Sequence, residues 1–275
     1  MRHQFHLFFR LLASCLLLIS QSWADELALA DAHLHYNRSH TDSFNAEAIA
    51  ALLQENNVRL ALVTSAPPSL ALELARQAPQ NILPILGVYD AYADKQSWYQ
   101  DTELAKKIQR ELTRGNYRGI GELHLFAANR RSQLFREVVS MSSRRRLPLL
   151  MHCDTPVIDA LFEHSGEPIV IWAHAGASPN PPLLQDYLDR YPNLFIELSM
   201  RNERIAPAGV LDGTWETLFM EYPDRFMVGV DTFSVQRWKE YPMHASQTRD
   251  WLKQLPDAVA EKIALSNAQK LFGHE

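Results

Sequence analysis

The sequence predicts an α/β protein, a single-domain barrel of eight parallel strands each followed by helix, and three observations predict it. Eight short apolar runs alternate with amphipathic stretches from residue 27 to residue 271. Several runs ("RLALVTS", "PLLMHC", "PIVIWAH", "FMVGV") are apolar on both faces, which suits strands covered by helices rather than strands with one wet face. No run leads into a glycine-rich phosphate loop. The first is followed by "HYNRSHTDSF", which has no glycine, so a closed barrel is favoured over an open doubly wound sheet.

The elements follow in order. The first strand is expected over residues 27–36 and its helix over 46–56, stopped by Asn57. A second strand over 58–65 leads into a helix over 69–77, marked at its start by Ser69. The third strand covers 82–89 and its helix 102–114, with Thr102 opening the helix and Gly115 closing it. The fourth strand, 117–125, precedes a helix over 131–146. That helix ends in Arg144, Arg145 and Arg146, where cations offset the negative end of the helix dipole, so this basic cluster reads as a solvated helix end. The fifth strand (147–154) and helix (156–164) meet at Thr155, and Gly166 ends the helix. The sixth pair covers 168–174 and 182–191, the seventh 194–200 and 215–222. The eighth strand, 225–231, is followed by helices over 244–255 and 257–271. No linker rich in Pro, Gly or Ser divides this pattern, so residues 25–275 are read as one domain.

Residues 1–24 differ from the rest. Arg2 and Arg10 precede the apolar run "LLASCLLLIS", and "SWA" supplies the small residues a signal peptidase reads, so cleavage after Ala24 and export to the periplasm are expected. The run is too short to span a membrane, and no transmembrane segment is expected in the mature chain. "LAS" before Cys15 offers the alternative of a lipid anchor on that cysteine. Cys15 and Cys153 are the only cysteines, so cleavage at Ala24 leaves no intrachain disulfide. A net charge of −5 supplies no basic face for nucleic acid, and a small-molecule substrate is the expected partner. Nothing in the pattern specifies an oligomeric state.

Polar residues gather at the strand ends: His33 and His35 on the first, Glu122 and His124 on the fourth, His152 and Asp154 on the fifth, His174 on the sixth, Asp231 on the eighth. Residues i and i+2 of a strand face the same side. His33 and His35 should therefore point together into the lumen, and His124 should share the face of Glu122. A lone histidine near a strand end is more often a hydrogen-bonded core residue. Five strand ends converging on one mouth point instead to a metal site, since barrels of this kind collect catalytic groups there. Imidazoles and carboxylates suit zinc, manganese or iron(II), and the lack of a cysteine cluster argues against a structural zinc knot.

These motifs carry a resemblance. "DAHLHYN" resembles the H-x-H strand of the amidohydrolase superfamily, "GIGELHL" its fourth-strand carboxylate, "LLMHCD" and "IWAHAG" its fifth- and sixth-strand histidines, and "FMVGVDTF" its eighth-strand aspartate. "EKIALSNAQKLFG" is similar to the closing helix of the amidohydrolase-related branch, and "NLFIELSMR" looks more like the lactonases and decarboxylases of that branch. "GIGELHLF" resembles the TatD-type deoxyribonucleases, yet "LPILGVYD" lacks the histidine-proline those proteins carry on strand three.

The resemblance implies a TIM barrel with His33, His35 and Asp231 holding one metal. It gives His152 and His174 to a second metal or to a mixed set, with Glu122 as the bridging carboxylate, so one ion or two remain open. Asp231 is then the expected general base, taking a proton from the attacking water. His124 and Arg201 are the candidates for touching substrate. Asp154 is a candidate for orienting a ligand imidazole, and Asp31, two before His33, for supporting one. Tyr89, Tyr92, Trp98, Tyr99, Phe233 and Trp238 lie in loops that could line a pocket for an apolar or sugar-like ligand. The implied activity is metal-dependent hydrolysis of a small carbonyl compound such as a lactone, ester or amide. The alternatives are a TatD-type nuclease, a metal-dependent decarboxylase, or a non-catalytic periplasmic binding protein.

Overall fold

The computed structural model describes residues 26–165 and 167–273; the expected signal peptide lies outside the described residues. Eight strands appear at the eight expected places: β1 Leu29–His35, β2 Val58–Thr64, β3 Ile82–Pro84, β4 Ile120–Leu125, β5 Leu149–Cys153, β6 Val170–Trp172, β7 Leu194–Glu197 and β8 Phe226–Met227. All pair in parallel with their sequence neighbours, as β1-β2-β3 and β4-β5-β6-β7-β8. Individual bonds join the two arcs. Leu86 N–H donates to Gly119 O (2.9 Å), and Gly121 N–H donates to Leu86 O (2.9 Å). On the other side Ala32 N–H reaches Val228 O (2.9 Å), and Asp231 N–H reaches His33 O (2.8 Å). The hydrogen bonding thus runs full circle, an α/β arrangement consistent with the expected eight-stranded barrel.

Helices cover the outside: α1 Ala46–Glu55, α2 Ser69–Ala75, α3 Leu104–Arg114, α4 Gln133–Arg145, α5 Thr155–His164, α6 Pro181–Arg190, α7 Asn202–Ile205, α8 Gly213–Glu221, α9 Val235–Lys239 and α10 Tyr241–Leu252; all lie near expected positions except the short α7 and α9, which the alternation does not predict. Local chemistry sets several starts. Asn45 accepts from Ala48 N–H at the head of α1, Ser132 from Phe135 N–H before α4, and Asp212 from Thr214 and Trp215 N–H before α8. The closing segment is α11 Asp257–Glu261, a π-turn over Lys262–Ser266 and α12 Asn267–Phe272. The Asn267 side chain donates to Pro223 O and Phe226 O, both at 2.8 Å, which pins this segment under β8.

The lower lumen is apolar. Ala30, Leu60, Leu62, Leu83, Ile171 and Met227 fill it, and Ala268 and Phe272 of α12 pack against them. Burying each large side chain contributes about 1.5–3 kcal/mol, so this floor, with the helix-to-sheet layer, carries the stability and leaves the upper lumen free for polar groups.

Besides a shift at the start of β1 between Leu29 and Ala30, two places break the strand periodicity near the site. The β1–β2 register shifts between Asp31 and Leu34, and the β4–β5 register between Gly121 and Leu123. Such bulges re-aim the side chains that follow them. Ala30 and Ala32 face the lumen, and after the shift His33 and His35 do so as well.

Candidate metal centre

The upper lumen gathers seven of the expected residues, with the carboxylate of Glu122 at their centre. Glu122, buried on β4, has its Oε1 at 2.9 Å from His152 Nδ1, 3.3 Å from His174 Nε2 and 3.6 Å from His33 Nε2. Its Oε2 lies 3.3 Å from His124 Nε2 and 3.4 Å from His35 Nε2. His33 Nε2 and His35 Nε2 are 3.2 Å apart, as two residues on one strand face require. Asp231 faces the same group from the end of β8, its Oδ1 3.3 Å from His35 Nε2 and 3.9 Å from His33 Nε2, its Oδ2 3.8 Å from His174 Nε2.

Backbone geometry aims two of these side chains. His174 and Asp231 have φ of +59° and +60°, left-handed values that cost a non-glycine residue roughly 1–2 kcal/mol and persist only where surrounding contacts impose them. The contacts are present. Asp231 N–H is held by His33 O, and Arg201 donates its Nε to His174 O at 2.7 Å and its Nη2 to Gly176 O at 3.0 Å.

The charges explain each other. Burial works against an ionised Glu122, but the imidazoles of His33, His124, His152 and His174 outweigh it and hold the carboxyl well below its usual range. Burial likewise opposes ionisation of Asp231, yet His33 and His35 bring it down to about 2. For His33 and His35 burial favours the neutral ring, and the facing carboxylates overcome it, so both are raised. His124 goes the other way. Burial, only partly offset by Glu122, and the nearby Lys95 push it down to about 3, so this ring is neutral. Among these groups Asp231 Oδ1 stands out as a buried carboxylate oxygen without a hydrogen-bond partner: His35 Nε2 is near it but not aligned as a donor. A buried acceptor left unpaired is costly, and a cation is the usual remedy.

The donor set fits one. His33, His35 and Glu122 bring ligand atoms within 4.8 Å of one another, and so do Glu122, His124 and His152. His35 Nε2 lies 3.2–3.4 Å from His33 Nε2, Glu122 Oε2 and Asp231 Oδ1, close to the roughly 3.3–3.4 Å edge of a tetrahedron with bonds of about 2.0–2.1 Å, while His33 Nε2 and Asp231 Oδ1 stand 3.9 Å apart. The donors are imidazole and carboxylate alone, the set that suits zinc, manganese or iron(II).

Beside the cluster a cavity of about 420 Å³ opens toward the β1–β3 side. His35 and Glu122 form part of its wall, and Tyr89, Phe233, Arg38 and Lys95 line it further out. Of the expected pocket aromatics, Trp98 and Trp238 are instead buried, where their N–H groups brace the backbone carbonyls of His124 (2.7 Å) and His35 (3.0 Å). His124 does share the face of Glu122; its ring stacks on His152 with centroids 4.4 Å apart, and its Nδ1 meets Tyr89 OH at 3.3 Å. Arg201, expected to hold a substrate anion, spends its Nε and Nη2 on the main chain that presents His174. Asp154 accepts from Ala127 N–H at 3.0 Å and makes no hydrogen bond to His152.

Asp31 requires a correction. Period-two reasoning put it on the face of His33, but the β1 bulge turns it aside. It accepts from His33 N–H (3.1 Å), Val230 N–H (3.2 Å) and Tyr241 OH of α10 (2.8 Å), and burial pushes its carboxyl up to about 7. It ties β1 to β8 and supports no imidazole.

Sequence reasoning missed Glu197 and Ser199. Glu197 is fully buried at the end of β7, with Oε2 at 2.9 Å from His33 Nδ1. Ser199 Oγ lies 2.9 Å from both Glu197 Oε2 and His174 Nδ1. The available signal was "FIELS": a glutamate inside an otherwise apolar strand, with a serine two residues on and hence on the same face.

Among the described residues no helix is long and apolar enough to cross a membrane. Comparison with curated protein sequences finds no match. Solved structures share the fold. A probable 2-pyrone-4,6-dicarboxylic acid hydrolase from Acinetobacter baumannii, with citric acid bound, is 14% identical over 89% of this chain and 99% of its own, with a TM-score of 0.60. An amidohydrolase from Burkholderia multivorans with bound zinc is 15% identical over 90% of this chain and 99% of its own, TM-score 0.62. A TatD-family hydrolase from Entamoeba histolytica is 9% identical over 90% of this chain and 100% of its own, TM-score 0.58. The sequence model of the amidohydrolase family matches residues 24–274, nearly the whole chain and every strand of the barrel. With that match, and with imidazoles and carboxylates converging at the barrel mouth, the chain belongs to the amidohydrolase family of metal-dependent hydrolases.

Proposed function

We propose that this chain hydrolyses a small carbonyl compound (a lactone, ester or amide) at a divalent ion held by His33, His35, Asp231 and Glu122, with His152 and His174, both beside Glu122, able to hold a second ion. The observation that carries the reading is Asp231 Oδ1, buried in a ring of imidazole nitrogens and left without a hydrogen bond. Zinc is the first choice of ion, supported by the donor set and by the zinc bound in the Burkholderia multivorans relative. The ion would supply water acidic enough to lose a proton near pH 7 and a Lewis acid for the substrate carbonyl.

The chain's own residues do the rest. Asp231, ionised at neutral pH, accepts the water proton at a carboxylate oxygen and returns it to the leaving group. His124, neutral and braced by Tyr89, borders the cluster as a polar contact for substrate. The neighbouring cavity of about 420 Å³ matches a small molecule. Decisive assays are metal analysis of the purified chain and a panel of lactones, esters and amides run against oligonucleotides and carboxylated aromatics. Turnover should vanish on chelation and return with zinc or manganese; unchanged turnover in excess chelator rejects the metal, and cleavage of oligonucleotides alone rejects the carbonyl substrate. Export with cleavage after Ala24 is part of the same proposal, supported by the apolar run over residues 11–20. Mass spectrometry should find a mature chain beginning at Asp25, and a lipidated Cys15 at its start would contradict that.

A further inference from the structure

Glu197 sits among potential ligands without being placed as one. A carboxylate offers about four lone-pair directions, and here four donors address it. His33 Nδ1 (2.9 Å), His174 N–H (3.2 Å) and Ser199 Oγ (2.9 Å) meet Oε2, and Ser199 N–H meets Oε1. Oε2, the oxygen that faces the two rings, is thus fully taken up, although His33, His174 and Glu197 bring ligand atoms within 4.8 Å of one another.

The hydrogen bonds then fix where the Nδ1 protons sit. An ionised carboxylate only accepts, so His33 Nδ1 carries a proton, and in the neutral ring its Nε2 is the nitrogen with a lone pair toward Glu122 and Asp231. Ser199 has a single hydroxyl proton and gives it to Glu197, so its oxygen accepts from His174 Nδ1–H at 2.9 Å. In the neutral ring His174 Nε2 is thereby also the nitrogen with a lone pair, 3.3 Å from Glu122 and 3.8 Å from Asp231. One carboxylate on β7 orders one ring from β1 and another from the segment after β6, and the two rings stack with centroids 4.9 Å apart. Its position depends on Gly229, where a Cβ would come within 2.5 Å of Glu197 Oε1 and 3.0 Å of His33 Cβ.

We infer that Glu197, directly and through Ser199, is the positioning residue that fixes the tautomers of His33 and His174 and thereby sets the affinity of the centre for its metal. The inference rests on the metal reading above for its second half; tautomer control stands on the hydrogen bonds alone. The test uses the purified full chain, with zinc affinity measured by competition with a chromogenic chelator and ring protonation read from long-range ¹⁵N–¹H spectra of the histidines. In Glu197→Gln, zinc binding should weaken about 10–100-fold, the usual effect of removing a hydrogen-bond partner of a ligand imidazole. The His33 Nδ1–H signal should lose its protection from exchange. Ser199→Ala should release only the His174 Nδ1–H and weaken zinc less. A glutamate that serves stability alone would lower the melting temperature and leave the ring protons and zinc affinity where they were, and that result overturns the inference. Should Glu197→Gln fail to fold, Ser199→Ala decides: a lost His174 Nδ1–H with weaker zinc supports it, an unchanged spectrum and affinity overturn it. If the parent chain takes up no zinc, the metal reading fails on its own, and the metal-free spectra of parent and variants still judge tautomer control.

Discussion

Glu197 and Asp231 border the same imidazole, that of His33, from neighbouring sides of the barrel, and both are buried. What separates them is hydrogen bonding. Glu197 accepts four donors, while Asp231 Oδ1 has none. The β7 side is thus finished within the protein, and the β8 side is completed only by something added to it. Burial alone would have ranked the two carboxylates alike; counting donors assigns one to the scaffold and the other to the chemistry.

Exchanging each carboxylate for its amide tests this contrast most severely. Asp231→Asn should lower kcat by about 10²–10⁴-fold, the range for losing a general base, while the protein still takes up zinc. Near-parental kcat at full zinc occupancy would show that another group is the base. Glu197→Gln should show the reverse pattern, with affinity lost first and kcat largely recovered at saturating zinc.

A smaller effect is expected from Gly229→Ala, which touches neither ion nor substrate. Its Cβ would collide with Glu197 Oε1, so it should reproduce part of the Glu197→Gln weakening of zinc, up to about 10-fold, with the catalytic pH profile unchanged. Parental zinc affinity in this variant would mean that the β7 side tolerates displacement.

The mildest probe is pH. The carboxylates raise His33 and His35 above the usual histidine value in the metal-free chain, so an ion must displace protons to bind. Zinc affinity should therefore fall as pH drops from 8 toward 6, by about tenfold per unit for each proton displaced. In Asp231→Asn the dependence should shift to lower pH, because one of the charges holding those protons is gone. A flat profile in the parent would contradict the assignment of both rings to the centre.

The fold was legible because alternation of apolar runs with amphipathic stretches is a property of the chain itself; all eight strands lie within the expected ranges. The polar strand ends were legible for the same reason, as period two places His33 with His35 and Glu122 with His124. Three features were not. The bulge after Asp31 leaves no mark in periodicity, so Asp31 was assigned a partner it does not have. Arg201 is a candidate for touching substrate by its position after the seventh strand, whereas its carbonyl partners depend on how the chain turns after β6. Glu197 was hidden because the expected seventh strand runs to Met200 and so places it inside the strand rather than at its end, and its importance lies in accepting hydrogen bonds from residues that tertiary structure brings to it.

The central claim is that the barrel mouth is a metal centre completed at Asp231 and closed at Glu197. Anomalous diffraction at the zinc edge, from crystals grown with zinc, tests it most directly. The account predicts a peak within about 2.0–2.2 Å of His33 Nε2, His35 Nε2 and an Asp231 oxygen, with Glu197 still bonded to His33 Nδ1. A peak bonded to Glu197, or none among these imidazoles at full zinc occupancy of the protein, would contradict it.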